Sequence, residues 1–152
     1  MKQKILVIED DPTIQTQLKN LLSYNGYEVE AVTDFSKVME QLKAFAPHLI
    51  LLDIKLPGTS GFEICSQIRT FSQIPIIFVT SNNTDMDELN SILLGGDAFI
   101  TKPYNTAILL AKIASLLRRA YGSGQTEVLT WNGVDLHLEG GFIEYRAKGR
   151  LD

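Results

Sequence analysis

Ile5-Leu6-Val7-Ile8-Glu9-Asp10-Asp11 is the stretch on which the fold reading turns. Four apolar residues run without a break and meet three acids. Such a run reads as a strand buried on both faces, ending at a polar edge. The grammar recurs along the chain. Leu49-Ile50-Leu51-Leu52 ends in Asp53, and Ile76-Ile77-Phe78-Val79 follows Pro75 and ends in Thr80. Ala98-Phe99-Ile100-Thr101 runs into Lys102-Pro103, and Val29 to Val32 is a weaker strand.

Helical spacing fills the gaps. Pro12 suits a first turn, Ile14, Leu18, Leu21 and Leu22 share a face, and Gly26 stops the helix. Ser36 is placed to cap a helix carrying Val38, Met39, Leu42 and Phe45, which ends before Pro47. Phe62, Ile64, Cys65 and Ile68 make a third face. Met86 to Leu94 stops at Gly95-Gly96, and Ile108 to Leu117 ends in Arg118-Arg119. Strand and helix alternate five times, which predicts an α/β domain with a doubly wound parallel sheet and right-handed crossovers.

The chain has 152 residues, with 18 acidic and 14 basic side chains and a net charge of −4. A protein living on phosphate-backbone contacts would normally be basic, so nucleic-acid binding by the bulk of the chain is disfavoured. One cysteine excludes an internal disulfide framework and a cysteine-clustered zinc site. No apolar run approaches the ~20 residues of a membrane span. The apolar run after Lys4 is too short for a signal peptide, so a cytoplasmic location is expected.

After residue 121 the pattern changes. Residues 122–127, Gly-Ser-Gly-Gln-Thr-Glu, read as a linker. Val128 to Trp131, Val134 to Leu138 and Phe142 to Tyr145 are short strand-like runs, with turns at Asn132-Gly133 and Gly140-Gly141. A segment this short falls below the usual size of an independent domain and reads as an antiparallel β appendage or the opening of a further domain.

The chemistry-bearing residues follow the strands. Glu9 and Asp10 come after the first, Asp53 ends the third, Thr80 ends the fourth and Lys102 follows the fifth. Open α/β sheets bind ligands outside these carboxyl ends. If the strand order is 2-1-3-4-5, the three carboxylates converge. Their mutual repulsion is then relieved by a divalent cation, and an all-oxygen site suits Mg²⁺ or Mn²⁺. Lys102 adds a positive charge and Thr80 a hydroxyl, so a phosphoryl group on Asp53 would fit.

The pieces Ile5 to Asp11, Leu49 to Asp53 with Leu56-Pro57-Gly58, Phe78-Val79-Thr80-Ser81 and Phe99 to Tyr104 resemble the receiver domain of a two-component response regulator, over residues 1–121. The resemblance implies a flavodoxin-like sheet of order 2-1-3-4-5, followed by linker 122–127 and an effector segment 128–152. Asp53 is the implied phospho-acceptor. Asp10 with Glu9, Asp53 and the backbone carbonyl of Lys55 are the implied Mg²⁺ ligands. Thr80 and Lys102 hold phosphoryl oxygens, Ser81 leaves room for them, and Phe99 is the aromatic switch. The Lys102–Pro103 bond is expected to be cis, and Lys55 and Asn82 to influence phosphoryl lifetime. The implied role is a regulator, with no enzymatic activity beyond its own phosphorylation and dephosphorylation, served by a sensor histidine kinase.

The tail resembles the start of the winged-helix DNA-binding class (the OmpR/PhoB-like regulators), whose recognition helix is missing from this sequence. Promoter DNA is therefore expected to be read only by a complete effector domain. Active receivers of this class pair through the fourth helix, fifth strand and fifth helix. Here Glu88 and Ile108 stand where a base and an acid are usual, and Ala98 replaces an acid opposite Lys112. Asp97 and Arg119 remain as a pair. Asp34-Phe35-Ser36, Leu109 to Ile113 and Arg118 to Tyr121 resemble a subgroup serving kinases that sense peptide antibiotics. The competing readings are a stand-alone receiver acting by protein contact or phosphorelay, a pseudo-receiver that signals without phosphate, and a metal-dependent phosphatase. The phosphatase needs an acid two residues beyond the acceptor, where this chain has Lys55.

Bland roles are expected elsewhere. Asp11 begins a helix, Cys65 is a buried thiol, Arg118-Arg119 complements a helix end, and His48 and His137 lack a ligand pattern.

Overall fold

The computed structural model describes residues 2–81, 88, 90, 92–122, 128–131 and 134–137. The chain divides into two compact units, residues 1–109 and 110–152, with the boundary inside the last helix.

The first unit holds a five-stranded parallel sheet: β1 (Lys4–Ile8), β2 (Glu28–Ala31), β3 (Leu49–Leu52), β4 (Ile76–Thr80) and β5 (Ala98–Thr101), in the order β2-β1-β3-β4-β5. The expected flavodoxin-like order is borne out. Every residue of β3 and β4 is buried, as is Ile5 to Ile8 in β1, which accounts for their unbroken apolar runs.

Side chains alternate across the sheet. Leu6, Ile8, Ile50, Leu52, Ile76 and Phe78 join one core cluster with Val38, Leu42 and Phe45 of α2 (Val38–Phe45) and Ile64, Cys65 and Ile68 of α3 (Gly61–Arg69). Ile5, Val7, Leu49, Leu51, Ile77 and Val79 turn to the other face. Right-handed crossovers in this strand order put α1 (Pro12–Tyr24) there, with its buried Leu18 and Leu22.

Local signals place the helices. The Asp11 carboxylate caps α1, accepting from Thr13 N at 2.9 Å and Ile14 N at 3.4 Å, with Pro12 in the first turn. Ser36 does not cap α2, contrary to expectation. Asp34 accepts instead from the Ser36 amide (3.0 Å) and hydroxyl (2.6 Å), shaping a 3-10 turn, Phe35–Lys37, ahead of the helix. Leu56-Pro57-Gly58-Thr59 closes a two-residue antiparallel ladder. Gly58 there has φ +74°, and proline followed by a left-handed residue is the pattern of a type II turn. Ser60 caps α3 through Glu63 N, and Asn105 caps the last helix, Thr106–Tyr121, through Ala107 N and Ile108 N.

Arg69 ties the end of α3 to the entry of β5. Its side chain donates to the carbonyls of Gly95 (2.7 and 3.0 Å), Ser72 (3.2 Å) and Ile74 (2.8 Å), and pairs with Asp97 at 3.1 Å. Asp97 also accepts from Ile76 N at 2.9 Å. Within the chain, Asp97 thus pairs with Arg69, a contact the sequence reading missed. Arg69→Ala strands several half-buried carbonyls, and we expect it to remove about 3 kcal/mol of stability. That loss would appear as a lower denaturant midpoint at unchanged slope; an unchanged midpoint would make the cluster ornamental.

In the second unit, β6 (Val128–Trp131) and β7 (Val134–His137) form an antiparallel ladder that pairs Val128 with His137 and Trp131 with Val134. This matches the first two strand-like runs of the tail. The expected turns at Asn132-Gly133 and Gly140-Gly141, the third run Phe142 to Tyr145, and Asn82 lie outside the described residues. So do most of the linker and, in the expected fourth helix, residues 86, 87, 89 and 91. Among the described residues no helix is long and apolar enough to cross a membrane.

Candidate functional site

Register gathers the site. Ile8 lies opposite Leu52, and Leu52 opposite Phe78, so the residues just beyond them emerge side by side. Asp53 N bonds the Ile8 carbonyl at 2.9 Å, carrying the β1–β3 pairing one step past the strands. Thr80 lies opposite Thr101, and Lys102 N bonds the Thr80 carbonyl at 2.7 Å. The sheet therefore delivers Glu9, Asp53, Thr80 and Lys102 to one edge.

Carboxylate oxygens of Glu9, Asp10 and Asp53 lie within 4.8 Å of one another. Glu9 is 4% exposed and Asp53 7%, while Asp10 faces solvent. Lys102 stands between the two buried acids, its Nζ 2.8 Å from Glu9 Oε1 and 3.2 Å from Asp53 Oδ2. The other Glu9 oxygen accepts from Asp11 N at 3.0 Å, and Lys55 N points at Asp53 Oδ1 from 3.4 Å.

Burial pushes the Glu9 carboxyl above its ordinary range, more than the Lys102 bond and the Asp11 amide pull it down, and the Asp53 charge adds to the rise. Burial alone would lower Lys102. The bond to Glu9 and the charges of Asp53 and Glu9 outweigh it, so the ammonium is held more tightly than usual. One cation thus faces two buried anions with a third beside them. Hard oxygen donors around unbalanced negative charge suit a small divalent cation.

The other expected residues fall around this centre. Thr80 is 1% exposed. Ser81 is exposed and lines a groove of about 600 Å³ that runs from Ile14, Gln17 and Leu21 of α1 to Lys102, Pro103, Tyr104 and Thr106. The Lys102–Pro103 peptide is cis. Phe99 is half-buried on β5 against the core cluster, opposite Phe78 in register. Lys55 is exposed on the short ladder beside Asp53. Ile108 is 53% exposed, and Lys112 and Arg119 lie on exposed positions of the last helix in the second unit. Cys65 is buried, its thiol pushed up by desolvation and bonded to the Leu94 carbonyl at 3.2 Å. His48 is a structural residue, its Nδ1 accepting from Lys4 N at 3.0 Å.

Two residues of this neighbourhood escaped the sequence reading. Gly61 opens α3 with its amide on the Ile54 carbonyl at 2.7 Å, and a Cβ there would lie 2.2 Å from the Asp53 carbonyl oxygen. Gln15 reaches from α1 to the carbonyls that follow β1 and β2. A glycine at a helix start was the available clue for the first; nothing in the spacing of α1 marked the second.

Lys102→Met leaves Glu9 and Asp53 facing each other without a cation. With chelator present, we expect it to cost about 3 kcal/mol at pH 7. The Glu9 carboxyl, already raised by burial and by the Asp53 charge, would then lose the Lys102 bond that pulls it down and lie further above its unfolded value. The folded state binds protons more tightly in that case, so stability returns as pH falls and declines as pH rises through the raised value. Denaturation curves across pH 4 to 8 would show this; a pH-independent loss would point to packing alone.

Comparison with known proteins agrees with this geometry. A family model, the response regulator receiver domain, matches residues 5–114. The sensory transduction protein BceR of Halalkalibacterium halodurans is 42% identical over 138 residues, 90% of this chain and 60% of that protein. The response regulator protein GraR of Staphylococcus epidermidis is 38% identical over 137 residues, 89% of this chain and 61% of that one. The chain thus spans about 60% of the length of these curated relatives. Among solved structures, the N-terminal domain of the nisin resistance regulator NsrR, a lantibiotic response regulator, matches with TM-score 0.72 and 44% identity, over 78% of this chain and 100% of that one. The BeF3-activated receiver domain of Klebsiella pneumoniae RstA matches with TM-score 0.74 and 34% identity, over 76% and 99%. The matched segment contains every strand end that builds the acidic cluster: the chain belongs to the response regulator receiver-domain family, whose members are regulators rather than classical enzymes.

Proposed function

We propose that this chain receives a phosphoryl group on Asp53 from a sensor histidine kinase and passes the signal to a transcription-regulating effector domain. The observation that carries the reading is Lys102 Nζ seated between Glu9 and Asp53 at the sheet edge. One Asp53 oxygen attacks phosphorus, the P–N bond of the phosphohistidine breaks, and its electron pair leaves with the imidazole. Lys102 neutralises charge on the transferred group. Thr80 supplies a hydroxyl, and exposed Ser81 leaves space for the donor. Glu9, Asp10, Asp53 and the Lys55 carbonyl are the residues that would hold Mg²⁺ or Mn²⁺. When bound, that ion screens the acids and offsets phosphoryl charge. The groove shares Lys102 with the site, so a donor protein would rest there while delivering to Asp53.

The proposed organisation is a receiver over 1–121, a linker over 122–127 and a β segment over 128–152 that opens a winged-helix effector of the OmpR/PhoB-like class. Such a regulator works in the cytoplasm. Promoter DNA contacts would belong to the complete effector. The likeness to NsrR, a lantibiotic response regulator, supports assignment to the subgroup responding to peptide antibiotics. Phosphorylation would draw Phe99 inward and favour a homodimer through the fourth helix, β5 and the last helix. Exposed Ile108 on that face stands where the class carries an acid, so the dimer would depend less on salt than ion-paired ones. Lys112, Asp97 and Arg119 are its charged candidates, although Asp97 is already held by Arg69.

The test is exposure to acetyl phosphate with and without Mg²⁺, with intact mass and light scattering as readouts. One metal-dependent phosphoryl adduct and a dimer are expected. An adduct without a dimer would favour a receiver acting by partner contact. No adduct would overturn the reading.

A further inference from the structure

We infer that Gln15 is a positioning residue for the metal-binding acids, an inference that rests on the function proposed above. Gln15 lies one turn into α1, its own amide bonded to the Asp11 carbonyl at 2.9 Å. Its Nε2 donates to the Glu9 carbonyl and, at 3.2 Å, to the Val32 carbonyl. Both partners are acceptors only, so the amide nitrogen and not the oxygen must face them, and both of its N–H groups are engaged.

The two carbonyls belong to different strands. Glu9 follows β1 and Val32 follows β2, and Val32 N bonds the Val7 carbonyl at 2.9 Å. Gln15 therefore staples the carboxyl ends of both strands to α1. The effect converges on the acidic loop. The Glu9 main chain is held by Gln15, and its carboxylate by Asp11 N and Lys102. The Asp11 side chain is committed to the α1 amides. Asp10 stands between two residues fixed in this way, so its exposed carboxylate keeps its distance from Asp53 only while the loop keeps its path. Among the described residues the Gln15 side chain bonds backbone carbonyls and no carboxylate; it acts through the backbone that carries the acids, as supporting groups around metal ligands do.

The experiment measures Mg²⁺ affinity of the full chain by calorimetry, without phosphodonor, for wild type, Gln15→Met and Gln15→Glu. Loss of the staple should weaken Mg²⁺ roughly tenfold in Gln15→Met, in a protein still folded at 25 °C. Gln15→Glu separates positioning from charge. An added carboxylate near the cluster would by Coulomb attraction tighten Mg²⁺. Facing two carbonyl oxygens, it would instead push the loop away, so weaker binding than wild type is expected. Tighter binding in Gln15→Glu, or unchanged binding in Gln15→Met, overturns the inference while leaving the phosphoryl reading intact. A wild type that fails to bind Mg²⁺ overturns both. Proton NMR of the wild type gives a measurement independent of variant folding. The Gln15 side-chain amide protons should exchange slowly and shift during Mg²⁺ titration; exchange at solvent rates overturns the staple.

Discussion

Asp53→Asn should eliminate the phosphoryl adduct from acetyl phosphate, lowering its rate of formation by a factor on the order of 10³ or more. The change is nearly isosteric and leaves the backbone bond from Asp53 N to the Ile8 carbonyl in place. What it removes is the anionic oxygen that attacks phosphorus in the proposed reaction. The fold should not suffer. Glu9, Asp10 and Asp53 repel one another within 4.8 Å, and Lys102 offsets only part of that charge. Neutralising one acid relieves repulsion while Lys102 keeps its 2.8 Å bond to Glu9. Thermal stability in metal-free buffer should therefore equal or exceed that of the wild type. An adduct persisting at the wild-type rate would move the acceptor to another carboxylate of the cluster. A lost adduct with collapsed stability would leave the chemical role unproven.

Gly61→Ala should cost about 3 kcal/mol or more and slow phosphoryl acceptance by roughly a hundredfold. The added methyl carbon would sit 2.2 Å from the Asp53 carbonyl oxygen, 2.9 Å from its carbonyl carbon and 3.0 Å from Ile54 Cα. These are backbone atoms, and none can swing aside as a flexible side chain could. Gly61 is also tethered by its amide to the Ile54 carbonyl at 2.7 Å. Relief must come from moving the start of α3 or the end of β3, and the second carries the proposed acceptor, Asp53. Denaturation midpoint and adduct rate should fall together. Stability within about 0.5 kcal/mol of wild type would show that the loop relaxes freely around the methyl.

β1, β3 and β4 were legible because burial on both faces demands unbroken apolar runs, and the strand ends at the site were marked by the acids, the threonine and Lys102-Pro103. Helix ends were legible where a cap or a stop residue stands out locally, as Asp11 does at the start of α1, whereas the Ser60 cap of α3 sat inside a run of turn residues and went unread. Ser36 misled because Asp34, two residues earlier, is the stronger acceptor and folds the intervening residues into a 3-10 turn. Long-range pairs were not legible. Asp97 finds Arg69 across 28 positions, and the spacing of α3 does not distinguish Arg69 from any solvent-facing arginine at a helix end.

The sequence by itself determined the elements, the strand ends at which chemistry gathers and, through its motifs, the family. These depend on local patterns of burial, capping and residue type. Only the tertiary structure decided which distant atoms meet: Lys102 between Glu9 and Asp53, Gly61 against the Asp53 carbonyl, and Gln15 across the ends of β1 and β2. Such contacts arise from the strand order and the approach of α1 and α3 to the sheet, and a one-dimensional pattern does not encode distance across a sheet edge.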